Sequence, residues 1–151
     1  MKNKVFTKDS DASVMYFADE TGEHVITPLI RAELSAETTD ATPVVMTVDN
    51  GSFVIASDEV WAYEGIIIAV DETNLDKAVY KVKGLLLNDG GTTTEIVAAE
   101  TEDILVKEDV SWALDVTAND TADTLEVSVT GDATNTVNWK GSFNFTKVAS
   151  A

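Results

Sequence analysis

"AVYKVKGLLLNDGGTTTEI", residues 78–96, decides the fold class. Ala78, Tyr80 and Val82 take every second place, and Lys81 and Lys83 fill the gaps between them. A period of two sends alternate side chains to opposite faces of an extended strand, whereas a helix repeats every ~3.6 residues. "NDGG" then reads as a turn, and the chain resumes extended at "TEIVAA". Gly84 stands where the next core side chain is expected. A glycine inside a strand weakens it and marks a bulge, a bend or the close approach of another ring or backbone.

The same period continues on both sides. Upstream lie "HVITPLIRAEL" (24–34), "PVVMTVDNGSFVIA" (43–56) and "VWAYEGIIIAV" (60–70). The second predicts a hairpin, because Asn50-Gly51 suits a type I′ turn between two alternating runs. Downstream lie "DILVK", "SWALDV", "TLEVSVT" and "TVNWKGSFNFT". In the last, Val137, Trp139, Gly141, Phe143 and Phe145 share one face, while Lys140, Ser142, Asn144 and Thr146 share the other. Roughly nine or ten strands with no long helix predict an all-β fold, an antiparallel β-sandwich of jelly-roll-like form. The predicted core is Trp61, Tyr63, Tyr80, Val82, Trp112, Leu114, Leu125, Val127, Trp139 and Phe143. Gly65, Gly84 and Gly141 each follow a pair of predicted core residues, and are expected to make room for indole rings or to let the sheet coil. A ligand cleft floored by these glycines is the competing reading, and no other residue supports it.

A chain of 151 residues is the size of one domain, or of one domain with an arm. Its 27 acidic and 10 basic residues give a net charge of -17. Such a surface repels nucleic acid, whose binding requires lysines and arginines against phosphate, and it disfavours anionic membranes. With Cys at 0, thiol chemistry, disulfides and Cys-based zinc sites are excluded. The longest apolar run, "GIIIAV", is too short to span a bilayer, and "MKNKVFTKDSDAS" carries no secretory pattern. The expectation is a chain made without a signal peptide.

Catalytic constellations are weak. His24 is the single histidine, beside Gly22 in a turn-like segment, and no Gly-x-Ser-x-Gly elbow occurs. Glu100, Glu102 and Asp103, or Glu108 and Asp109, read as solvated turns rather than as a glycosidase pair. Asp9 and Asp11, or Asn119, Asp120 and Asp123, offer oxygen ligands but do not match a calcium loop. "DGGTTT" lacks the lysine and the helix of a phosphate-binding loop. No enzymatic activity, cofactor or metal is expected.

Residues 1–32 read as an N-terminal arm and 33–151 as the β-sandwich domain. "SDASVMYFADETGEH" (10–24) fits a short helix capped at Ser10 or Asp11, or one more strand. Met15, Tyr16 and Phe17 want a surface to cover, and are the candidate partner-binding residues.

Over residues 33–151 an ordered series stands out. It comprises Glu37 to Pro43 ("ETTDATP"), Trp61 to Gly65, Tyr80 to Gly84, Trp112 to Asp120, Leu125 to Gly131 and finally Trp139. This series resembles a β-rich module found at the C-terminal end of tail-fibre and head-fibre proteins of tailed bacteriophages. Asn138 departs from the arginine expected before the last tryptophan, and Val70-Asp71 replaces a basic pair. The resemblance implies a virion protein assembled in the host cytoplasm. No repetitive or coiled-coil shaft precedes the module, so the expected function is a capsid decoration or cement protein on the outer head surface. The expected partner is the major capsid protein or another virion protein, with homo-oligomerisation, a trimer included. The alternative is a tail-fibre or head-fibre module that binds host glycan as a receptor. Three tryptophans on predicted core faces count against the alternative, because sugar platforms need exposed rings.

Overall fold

The computed structural model of the protein describes residues 6–8, 15–19, 22–26, 30–50 and 53–149, with backbone alone at 6–8, 15–19, 22–26, 103–106 and 149. The regular elements are strands: β1 (Phe6–Lys8), β2 (Met15–Asp19), β3 (Gly22–Ile26), β4 (Ile30–Thr38), β5 (Val44–Val45), β6 (Thr47–Asn50), β7 (Glu59–Asp71), β8 (Lys77–Asp89), β9 (Thr92–Lys107), β10 (Ala113–Asn119), β11 (Thr124–Thr130) and β12 (Val137–Ala149). They form three sheets with antiparallel pairings, ordered β1-β2-β3, β10-β11-β5 and β6-β4-β12-β7-β8-β9. The six-stranded sheet packs its inner face on the β10-β11-β5 sheet, so the fold is an all-β sandwich.

The period of two survives intact along β7, where every second residue from Glu59 to Asp71 is buried. Trp61, Tyr63, Tyr80, Val82, Trp112, Leu125, Val127, Trp139 and Phe143 all lie in the core, and Leu114 packs against it half-buried. Rings interlock edge to face in the core: Phe53, outside the strands, lies 5.0 Å from Phe145 and 5.7 Å from Phe143 of β12, between centroids. Such pairs add about 0.5–1.5 kcal/mol beyond the area that they bury.

Two of the three strand glycines lie under rings. Gly65 sits directly across from Phe143, and Gly84 directly across from Tyr63. A Cβ at Gly65 would stand 2.7 Å from the Phe143 ring, and one at Gly84 would stand 2.8 Å from Cε1 of Tyr63. Each ring lies flat over the bare backbone opposite. The rings are phenyl and phenol, not the indoles expected. Gly141 differs, since its Cβ would meet Ile67 at 3.4 Å, an ordinary contact, so no ring excludes a side chain there.

Three other expectations are corrected. Residues 43–56 do not form a hairpin. Val44–Val45 pairs with β11 in one sheet, Thr47–Asn50 pairs with β4 in the other, and Phe53–Ala56 is not a strand. Alternation reveals which side chains turn inward but says nothing of the pairing partner; the predicted turn at Gly51 falls outside the described residues. "TEIVAA" and "DILVK" belong to one long edge strand, β9, whose pairing with β8 shifts register at Ala78/Tyr80, Lys83/Leu85 and Leu85/Leu86. His24 lies within β3 opposite Phe17, not in a turn. Of the two conformations open for residues 10–24, the backbone of Met15–Asp19 takes the strand.

Buried polar groups close the two ends of the sandwich. Glu59 accepts from Trp61 Nε1 and from Lys147 Nζ, each at 2.7 Å, and Lys147 stands 5.6 Å above the Trp61 ring. Burial would raise the Glu59 pKa, but the Lys147 and Trp61 bonds outweigh it and hold the carboxyl below its usual range. Trp139 Nε1 donates to Thr38 Oγ1 at 3.0 Å. Asp71 accepts from the Thr73 and Asn74 amides and from Asn135, which fixes the β7–β8 turn.

Candidate functional site

The outer face of the six-stranded sheet is open, and its side chains form a grid fixed by register. Across the middle three strands, Asn144 (β12), Glu64 (β7) and Lys83 (β8) stand in one row. Ser142, Ile66 and Lys81 make the next row, followed by Lys140, Ile68 and Val79, and then Asn138, Val70 and Lys77. Each residue faces outward because its chain neighbours on both sides point into the core.

Two adjoining depressions of about 190 and 440 Å³ open on this face and share Glu64 and Asn144. The smaller lies over Gly65 and is rimmed by Ile66, Lys81 and Ser142; the larger lies over Ala62 and Gly84 and is rimmed by Lys83 and Thr146. The larger floor is low at Ala62, whose small side chain points outward, whereas Gly65 and Gly84, whose inner faces are covered by rings, contribute backbone alone. Glu64, Lys81, Asn144 and Thr146 make no hydrogen bond or ion pair among the described residues. Ser142 accepts from Arg31 Nε at 3.1 Å and keeps its own proton to donate. Lys83 is held by Glu100 at 2.8 Å, and that bond pushes its ammonium pKa up. A carboxylate, an amide, two hydroxyls and an ammonium therefore converge with hydrogen-bonding capacity left over. Such a set suits a hydroxyl-rich ligand.

The other sequence candidates are committed elsewhere or lie outside the description. Met15, Tyr16 and Phe17 run along β2, opposite Ile26, Val25 and His24, and their side chains are outside the described residues. So are Asp9, Asp11 and the side chain of Asp103. Glu100 and Glu102 are not in turns but in β9, across from Lys83 and Lys81. Glu108 pairs with Lys77 at 3.1 Å, and Asp109 binds Ser111. Asp120 and Asp123 accept from the Thr93 amide and hydroxyl, and Asn119 bonds Glu126. Among the described residues no three carboxylate or imidazole groups are arranged to share a metal ion. Asn138 donates to Glu72 at 2.6 Å, so the position that departs from the phage pattern still pairs with an acid. Trp61, Trp112 and Trp139 are buried and offer no ring to a sugar.

Sequence reasoning placed Asn144, Thr146, Lys81 and Lys83 on the outward set but did not join them into a site. The join depends on the order β12-β7-β8, which alternation along one strand does not contain.

No family model and no curated protein matches the chain. Among solved structures it is similar to tailspike protein gp49 of Acinetobacter baumannii bacteriophage Fri1, a capsular polysaccharide depolymerase, at 10% identity and a TM-score of 0.39. The match covers 95% of this chain and 20% of the tailspike, so the chain spans about a fifth of that protein's length. The expectation of no enzymatic activity is corrected by this match, because the similar protein is itself an enzyme. At that likeness the tailspike lends this chain no activity of its own.

Proposed function

We propose that the chain is a virion-surface β-domain of a tailed bacteriophage, of the receptor-binding kind, and that it takes host-surface glycan in the outer-face depressions. The observation that carries this reading is the convergence of Glu64, Lys81, Asn144 and Thr146, none of them committed to another described residue, over a floor of Ala62, Gly65 and Gly84. The ordered sequence series from Glu37 to Trp139 supports the phage assignment. With no exposed tryptophan available, recognition rests on hydrogen bonds from these polar groups rather than on ring stacking. The decoration reading stands second. It needs the arm, residues 1–32, to grip coat subunits through Met15, Tyr16 and Phe17.

A glycan microarray of bacterial surface polysaccharides tests the choice. The parent chain is expected to bind at least one polysaccharide. Glu64→Ala with Asn144→Ala should weaken that binding about tenfold or more, given roughly 1 kcal/mol per hydrogen bond. The melting temperature should not change, because both side chains are solvent-facing. No binding by the parent, or equal binding by the double variant, overturns the reading.

A further inference from the structure

The same outer face carries a second feature, which starts at Ile66 on the rim of the smaller depression and runs away from the larger one. Ile66 and Ile68 are 48% and 47% exposed, and Val70 and Val79 continue the apolar patch along β7 and β8. A solvated sheet face has no use for a run of branched apolar side chains, and such a patch marks an interaction surface.

The distribution of charge says what covers it. Of the seven basic residues between Ile30 and Ala149, five (Arg31, Lys77, Lys81, Lys83 and Lys140) stand on this face. They are interleaved with eight acids, among them Asp49, Glu72 and Glu108, which bond Lys140, Asn138 and Lys77. The face holds five bases against eight acids, and the rest of residues 30–149 holds two against fourteen. Two copies approaching through any other surface bring acid against acid. Through this face, each copy presents both signs around an apolar centre; Arg31, Lys77, Lys83 and Lys140 already pair within the chain, and Lys81 is left to meet an acid of the other copy. Lys81 has no ion-pair partner within its own chain among the described residues, although Glu102 lies directly across from it on β9. On a strongly acidic molecule, the face that carries most of the cations is the one through which two copies repel least.

We propose that two copies of this chain associate through the Ile66–Val70 half of the outer sheet face. The contact packs Ile68 and its neighbours against the same residues of the second copy, as a two-fold interface requires. Lys77, Lys81 and Lys140 form its rim. The Ala62–Glu64 end stays outside the contact, so a pair presents its two larger depressions together, while the rim of the smaller one at Ile66 and Lys81 lies in the contact. Linked sites raise the apparent affinity for a repeating polymer without any new contact to it. The association stands on the patch and its charges, and does not require the glycan reading.

Sedimentation equilibrium of the full chain over a concentration series tests it. The parent is expected to show a reversible monomer–dimer equilibrium. Ile68→Lys places a charge at the centre of the patch and should leave a monomer at every concentration, with the parent's melting temperature. Ile66→Ser guards against an unexpected folding defect in the first variant and should raise the dissociation constant at least tenfold. Glu64→Ala with Asn144→Ala should leave the equilibrium unchanged, which separates failure of the glycan reading from failure of this one. A parent that is monomeric throughout, or a dimer that survives both Ile68→Lys and Ile66→Ser, overturns the proposal.

Discussion

Along β7 two sets of side chains share one backbone and follow different rules. The inner set, from Glu59 through Trp61, Tyr63, Gly65, Ile67 and Ala69 to Asp71, is buried, and each member fits a specific neighbour. Gly65 is bare because Phe143 covers it, and Glu59 is charged because Lys147 and Trp61 hold it. The outer set, Ala62, Glu64, Ile66, Ile68 and Val70, has no cover among the described residues, yet it is apolar from Ile66 to the end of the strand. Shape complementarity within the chain accounts for the inner set. No contact among the described residues gives the outer set a reason to be apolar beyond Glu64.

If that contrast is right, the inner face should be far less forgiving than the outer. Trp139→Ala should show the largest effect. The indole is buried, stacks near Tyr80 at 6.3 Å and lies 5.8 Å from Trp112, so truncation should cost about 3–5 kcal/mol in denaturant unfolding. A loss under about 1 kcal/mol would mean that the core collapses around the gap and is not the tight inner layer described.

Next come the glycines. Gly84→Val drives a side chain into the Tyr63 ring and should lose about 1–3 kcal/mol or more, whereas Gly141→Ala should stay within about 1 kcal/mol. Equal losses at both positions would show that backbone freedom, and not ring coverage, is what glycine supplies in these strands.

The smallest effect is one of pH. Glu95 has a buried, unpaired oxygen, and burial, with Asp115 nearby, raises its pKa above the ordinary 4.5. The fold therefore favours the neutral carboxyl. The stability it contributes is complete below 4.5 and is lost as pH rises through the raised folded value. Glu95→Gln should melt higher than the parent at neutral pH, and the two should converge in acid. The nearby Tyr63 hydroxyl is likewise buried and unpaired, and its phenol pKa is pushed up by burial and by the Glu95 charge. A variant that melts lower at neutral pH would show that the Glu95 carboxylate is stabilising where it stands.

How much of this was legible in the sequence follows from what a period of two can carry. It identified the inward face of β12 one residue after another, and Trp61 and Tyr63 of β7, Tyr80 and Val82 of β8, and Leu125 and Val127 of β11, because each strand is buried on one face only. It could not show that Met46, whose amide bonds the Val127 carbonyl, marks the point where the chain leaves one sheet for the other. Nor could it show that Asp71 and Asn88, acid and amide in turn-like surroundings, are buried ties. The outer-face depressions were half visible. Asn144, Lys81 and Lys83 were rightly placed outward, but polar outward residues are what any half-exposed sheet needs for solubility. What distinguishes these is that they surround the small outward side chain of Ala62 and the bare backbone at Gly65 and Gly84, a property of three adjacent strands.

The irregular pairing of β9 has a consequence for concentrated solutions. This strand, Thr92–Lys107, forms one border of the large sheet, and a straight border of that length would offer a template on which further chains zip into fibrils. Ile96 and Val97 on it are exposed and β-branched, the residue type that such growth prefers. The three register shifts against β8 break the ladder into short pieces and twist each out of line with the next. A protein crowded at high local density can then keep its neighbours from recruiting one another edge to edge, without covering that edge.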